Sequence, residues 1–389
     1  MRTLLELVRA MTAGIQDFKS QRLIEAREAR GLTQTALAEQ LKVTRAAVSQ
    51  YESQQRVPST EVLLRLSHAL GMPVHFFTHG DGYEVKDALF FRSMAAATKS
   101  ARTQARRHFE WLVRIVDYLR GYVQLPEVCI PILDLPSDPR QLTSECIEDV
   151  ANSTRSGMGL GFGPISNVTW LLENKGAIVA QLDLCCTTLD AFSHWYGNTP
   201  FLVLNSVKGS AVRWRYDLAH ELGHMILHRR IRQEMLHDKT FFQMMEDQAH
   251  RFAGAFLLPE SSFGHMVPYS ITIDTLVSLK SKWKVSIAAM VMRLRDLSLI
   301  PEQKCQRLFI AISRRGWKAN EPLDDQLEME RPRILARAAE LLVTQNVISL
   351  RDIENSLGIP RDEIENLLGY KDASEENIIR LHRLTRKAD

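Results

Sequence analysis

The sequence predicts a multidomain, mainly α protein. Its expected parts are an N-terminal all-α helix-turn-helix bundle, a central α+β domain with a small sheet, and a C-terminal helical module. Three observations predict this. The 389 residues exceed what one ordinary core organises. Apolar residues recur at helical spacing along most of the chain. Only two runs, 177–184 and 201–205, read as strands. The expected divisions are 18–80, 81–139, 140–300 and 301–389.

Composition narrows the function. The chain is 45% hydrophobic and 24% charged, as a soluble globular protein is, and its net charge of +3 is too small for a polybasic protein. Any affinity for nucleic acid must come from a local surface. The five cysteines are odd in number and lack CxxC spacing, which argues against a disulfide framework and against a cysteine zinc site. No stretch has the length of a membrane span, and residues 1–20 carry no leader-like apolar run. The expectation is a cytoplasmic protein in a reducing compartment, with no membrane partner.

From residue 21 to 78, Leu23, Leu37, Leu41, Val48, Tyr51, Leu63, Leu66 and Leu70 mark four or five short helices. Gly31 ends the first, and Thr33 caps the second. Thr44 caps a third that starts at Arg45 after a sharp corner. In a helix-turn-helix that third helix enters the major groove of double-stranded DNA. Its outward face would carry Arg45, Ala46, Ser49 and Gln50 with Thr44 at the cap, while Gln34 would touch phosphate. Arginine suits a guanine edge and glutamine an adenine edge. The stretch resembles the XRE, or lambda-repressor-like, family through Leu32-Thr33-Gln34, Leu37-Ala38, Val48-Ser49-Gln50-Tyr51-Glu52 and Arg56-Val57-Pro58-Ser59. Lys42 stands where that family often has glycine, so a left-handed lysine is expected.

Residues 90–122 return to helical periodicity, with Phe109, Leu112, Val113, Val116 and Leu119 on one face. That face could dimerise the chain, since repressors of this type usually read two half-sites. The open readings of Lys99, Arg102, Arg106 and Arg107 are a phosphate patch and a solvated face. Pro126, Pro131, Pro136 and Pro139 then read as a linker.

In the central domain, helices are expected over 140–152 and 164–173. Between them the glycines of 157–163 read as a turn, since no strand precedes them and no phosphate-binding lysine follows. Next comes His220-Glu221-Leu222-Gly223-His224. Histidines four apart share one helix face and can aim at one ion, while Glu221 lies where a metal-bound water would sit. That is the layout of metal-assisted hydrolysis, with Glu221 taking the proton of the water and passing it to the leaving amine. A third ligand is best sought in 241–258, where Ala249, Ala253 and Gly254 form a small-residue stripe that includes Glu246. Asp247 and His250 are its rivals. For His250 three roles stay open: ligand, transition-state donor, or support for a ligand. His228, four residues after His224, either touches substrate or ends the helix as a dipole-stabilised histidine.

These helices resemble the ImmA/IrrE family of metallopeptidases, through Ala219 to His224, Glu246 with Ala249, Phe252-Ala253 and Leu258-Pro259. The likeness extends through Gly163-Pro164-Ile165 and Trp283-Lys284-Val285-Ser286. It implies a zincin-like fold, a Zn2+ cofactor held by His220, His224 and Glu246, and Glu221 as catalytic base. It also implies that the substrate is a helix-turn-helix repressor, either a partner or this chain's own N-terminal unit, and the fusion of the two on one chain points to self-cleavage within 80–135. The trigger would be stress, phage entry or DNA damage.

The C-terminal module again imitates a helix-turn-helix, but its would-be reading helix carries Asp362, Glu363 and Glu365. Phosphates repel such a face, so a protein contact is expected, with another subunit or a regulator. Two functions compete. The first is a transcriptional regulator with its own zinc endopeptidase, acting as a homodimer on an operator. The second is a non-proteolytic repressor whose metallopeptidase fold senses or supports, in a toxin-antitoxin or phage-defence setting.

Overall fold

The computed structural model describes residues 17–78, 80, 98–183, 190–206, 209–231, 235, 238–268 and 270–372. The expected helical start at 90–97, most of the 1–20 leader question, Cys185, Cys186 and His237 lie outside the described residues.

Four helices open the chain: α1 (Ser20–Ala29), α2 (Gln34–Leu41), α3 (Arg45–Glu52) and α4 (Thr60–Leu70). Thr33 accepts a hydrogen bond from the Ala36 amide, and Thr44 one from the Ala47 amide, so both caps form as the sequence suggests. Lys42 adopts φ 53°, the left-handed conformation that turns the corner between α2 and α3. Leu23, Leu37, Val48, Leu63 and Leu66 are buried between these helices.

The next helix, α5 (Lys99–Arg120), begins at the Thr98 cap. Its apolar face is not available for dimerisation. Phe109 meets Phe192, His194 and Phe201 edge-on at 5.8, 5.6 and 5.2 Å. On the bundle side, the Trp111 indole donates to Glu25 at 2.6 Å, and Arg22 grips the same carboxylate at 2.7 and 2.8 Å. Arg107 pairs with Glu28 and Glu110, so only Lys99 and Arg102 of the basic cluster stay exposed.

The central helices α6 (Ser144–Gly157) and α7 (Val168–Asn174) start later than the expected 140 and 164. The side chains of Thr143 and Asn167 set the true starts by accepting from the Cys146 and Trp170 amides. The glycine turn between them has a structural purpose: buried Arg155 donates to the carbonyls of Gly161, Gly163 and Phe256.

Strands β1 (Ile178–Leu182), β2 (Ala191–Tyr196) and β3 (Thr199–Asn205) form a sheet of order β1-β3-β2. β1 runs parallel to β3 and β2 antiparallel to it. The strand β2 was not foreseen, because Ser193 and His194 break its apolar alternation. Its signal was the Gly197-Asn198 pair, a tight hairpin turn between aromatic and β-branched residues, with Gly197 at φ 56°. The sheet divides two cores. Ile178, Ala180, Phe192, Phe201 and Val203 face α5 and the N-terminal bundle, whereas Val179, Ala191, Leu202 and Leu204 face the central helices.

Helices α8 (Ala211–Leu227) and α9 (Lys239–Leu257) pack closely on that second side, followed by α10 (Ile273–Trp283), α11 (Ile287–Asp296) and α12 (Glu302–Arg314). The chain then returns to the first core as α13 (Ile334–Thr344), α14 (Leu350–Leu357) and α15 (Arg361–Leu368). The sequence reading looks to another subunit or a regulator as their partner; among the described residues, the surface these helices meet is this chain's own. Arg22 and Arg114 donate to the Leu357 carbonyl at 3.1 and 2.6 Å, and Glu363 pairs with Arg30. Asp362 stays at the solvent.

Candidate metal centre

Helix α8 is buried nearly all round, so its polar residues must find partners inside. His220 and His224 sit one turn apart and bring their Nε2 atoms within 3.0 Å of each other. Facing them from α9, the Glu246 carboxylate places Oε2 at 3.3 Å from His220 Nε2 and Oε1 at 3.2 Å from His224 Nε2. Two helices come this close because small residues line the seam. Ala249 and Ala253 are fully buried, and a Cβ on Gly223 would lie 2.9 Å from the Phe252 ring.

The triad fits a divalent metal. Bonds of about 2.0–2.1 Å in tetrahedral array hold ligand atoms about 3.3 Å apart, close to the spacing seen here. Oε1 of Glu246 is buried and has no hydrogen bond of good geometry among the described residues, as suits an atom facing a cation. The charges agree. Burial opposes ionisation of Glu246, but the neighbouring His220 and His224 rings outweigh it and hold the carboxyl well below the usual range. Burial likewise opposes the charged form of His220, yet Glu246 and Glu221 raise its pKa.

His250 is a neighbour of the triad. Its ring centroid lies 4.3 Å from that of His220, and one ring nitrogen joins His220 and Glu246 in a set spanning up to 4.8 Å. The tighter His220, His224, Glu246 set matches a zinc-sized ion better. Nδ1 of His250 is 3.3 Å from the Tyr216 hydroxyl. One edge of His250 is open to solvent, but packing desolvates the other, and with the nearby His220 this lowers its pKa to about 4. His228 is buried behind the ligands, within 3.0 Å of His224 and 2.9 Å of Gln248. It also forms the C-terminal cap of α8.

Glu221 is buried, and its Oε2 accepts a 2.7 Å hydrogen bond from Ser193 of β2. Ser193 was invisible in the sequence because its strand was. Alongside runs a groove of about 1930 Å³ lined by Arg213, Tyr216, Asp217, Met244, His250 and Met292 among others. Burial pushes the Asp217 carboxyl up to about 7, against the pull of Arg213.

At the other functional face, Thr44, Arg45, Ala46, Ser49 and Gln50 are all exposed along the start of α3. Gln34 donates to Glu52 at 2.8 Å, and Glu52 also holds Arg27.

Comparison with known families agrees with this division. Residues 23–77 match the family model described as Helix-turn-helix, and residues 173–295 match that of the IrrE N-terminal-like domain. No curated protein matches the chain. The chain therefore joins a DNA-binding helix-turn-helix to a domain of metallopeptidase-like fold. No described helix is long and apolar enough to cross a membrane.

Proposed function

We propose that this chain is a DNA-binding transcriptional regulator carrying a zinc-dependent endopeptidase that cleaves a repressor-type protein, either a partner or itself. The observation that carries the reading is the convergence of His220, His224 and Glu246 within 3.0–3.3 Å, with the Glu221 carboxylate held by Ser193 nearby.

In this reading His220 and His224 hold zinc through Nε2 and Glu246 through its carboxylate. When bound, the ion supplies Lewis acidity and brings the pKa of a water toward neutrality. Glu221 takes the proton of the attacking water and returns it to the leaving amine. Ser193 holds this carboxylate through its Oε2 at 2.7 Å. His250, neutral at pH 7, has a proton to offer a carbonyl oxygen that gains charge.

If the chain cuts itself, the described part of 80–135 favours 123–135. That stretch has no regular secondary structure and is mostly exposed, whereas Lys99–Arg120 is helix. The likeness to ImmA/IrrE peptidases supports a cytoplasmic response to stress, phage entry or DNA damage. Reading paired half-sites would call for a homodimer.

Metal analysis tests the core of this reading. The purified chain should hold about one zinc, as a site with three protein ligands does, and His220→Ala should lose most of it. Full occupancy in that variant would remove the assignment.

A further inference from the structure

A line of buried hydrogen bonds runs from the proline-rich segment before the central domain to the metal-facing side of α8. The Gln248 Nε2 group donates to the Pro139 carbonyl at 2.7 Å. Its Oε1 lies 2.9 Å from His228 Nε2, and His228 Nδ1 lies 3.0 Å from His224 Nδ1. Gln248 and His228 are only 7% and 4% exposed, so water does not compete for these groups.

The proton positions along this line follow from one fact: a backbone carbonyl can only accept. Pro139 therefore fixes the amide of Gln248 with its nitrogen toward the carbonyl and its oxygen toward His228. That oxygen needs a donor, so His228 carries its proton on Nε2. A neutral imidazole protonated there has its lone pair on Nδ1, and a buried imidazolium would be costly. His224 must then donate from Nδ1, which leaves the lone pair of its Nε2 facing His220 and Glu246. The opposite polarity would put a proton on that Nε2 and block it as a ligand.

We infer that Gln248 and His228 are positioning residues that, anchored on the Pro139 carbonyl, hold His224 in its metal-binding tautomer. The inference rests on the zinc reading above. It gives the 139–142 turn a second task, since Pro139 both leads into the central domain and orients a ligand about a helix away. It also explains why a histidine and a glutamine are buried behind the site, where apolar residues would pack as well.

The test is zinc affinity of the full chain, by competition with a chromophoric chelator, for wild type and Gln248→Leu. The leucine removes both hydrogen bonds, and loss of such outer partners weakens metal binding by about 10–100-fold. The expected result is a Kd raised at least about tenfold, beside the modest fall in the melting temperature of the metal-free variant that two unpaired buried groups bring. A purely structural role would lower that melting temperature and leave the Kd unchanged, which would overturn the inference.

A second measurement needs no folded variant. In 15N-histidine NMR of zinc-loaded wild type, His228 should show the Nε2-protonated tautomer, and an Nδ1-protonated or doubly protonated ring would contradict the relay. A wild-type chain that takes up no zinc overturns the metal reading itself. Tight zinc in both chains overturns the relay alone.

Discussion

Gly223 stands between Leu222 and His224, and its lack of a side chain lets α8 rest on the Phe252 ring. A methyl group there would meet that ring at 2.9 Å and the Ala249 carbonyl at 3.3 Å. Gly223→Ala should therefore cost about 1–3 kcal/mol by overpacking and widen the gap between the histidines and Glu246. A lowered melting temperature together with weaker zinc binding would bear this out. Asp217 gives a pH signature in the metal-free protein. Its folded pKa of about 7 lies above that of an unfolded aspartate, so the folded state holds more protons between roughly pH 4 and 7. Stability from this group is present below that window and falls as pH rises through it. Asp217→Asn should melt progressively higher than wild type as pH rises from 4 to 7, and parallel curves would refute the shift. Ser193→Ala should retain zinc while cleavage falls on the order of tenfold, as loss of an orienting partner does.

At the scale of elements, the exposed helix α3 offers a separable test. Arg45→Ala combined with Gln50→Ala removes two exposed side chains without touching the buried Ala47, Val48 and Tyr51. Binding to a promoter site should weaken by roughly 1–3 kcal/mol per lost base contact while the fold stays intact. Unchanged affinity in a gel-shift titration would point to a bundle that binds protein. Elements differed in how far they could be read. The helices around Thr33, Thr44, His220 and Glu246 were legible because caps and i, i+4 spacing are local signals. Strand β2, and Ser193 with it, escaped because an edge strand with polar residues has no clean alternation, and only its Gly197-Asn198 turn betrayed it. Gln248 escaped for another reason: its partners lie 20 and 109 residues away, and no pattern in the sequence joins them.

Across the whole molecule, the sheet and α5 tie the DNA-reading bundle to the metallopeptidase-like domain. The C-terminal helices close over both. This long-range docking, with Glu363 on Arg30 and Leu357 on Arg22, leaves no periodic trace, which is why the C-terminal partner was sought outside the chain. Glu25 sits at the centre of the joint, buried with Arg22, Trp111 and Arg114. Glu25→Ala strands buried arginines and should cost about 3–5 kcal/mol. Calorimetry should show the loss in the main transition, since one core holds the bundle, α5, the sheet face and the C-terminal helices. The central claim is that this joined molecule cleaves protein with Glu221 as its base. Mass spectrometry of cells expressing wild type or Glu221→Gln, with and without DNA damage, tests it most directly. The account predicts a fragment pair from one repressor-type protein, partner or self, in wild type alone, while the variant keeps its zinc. The same fragments in both, or none in either, would contradict it.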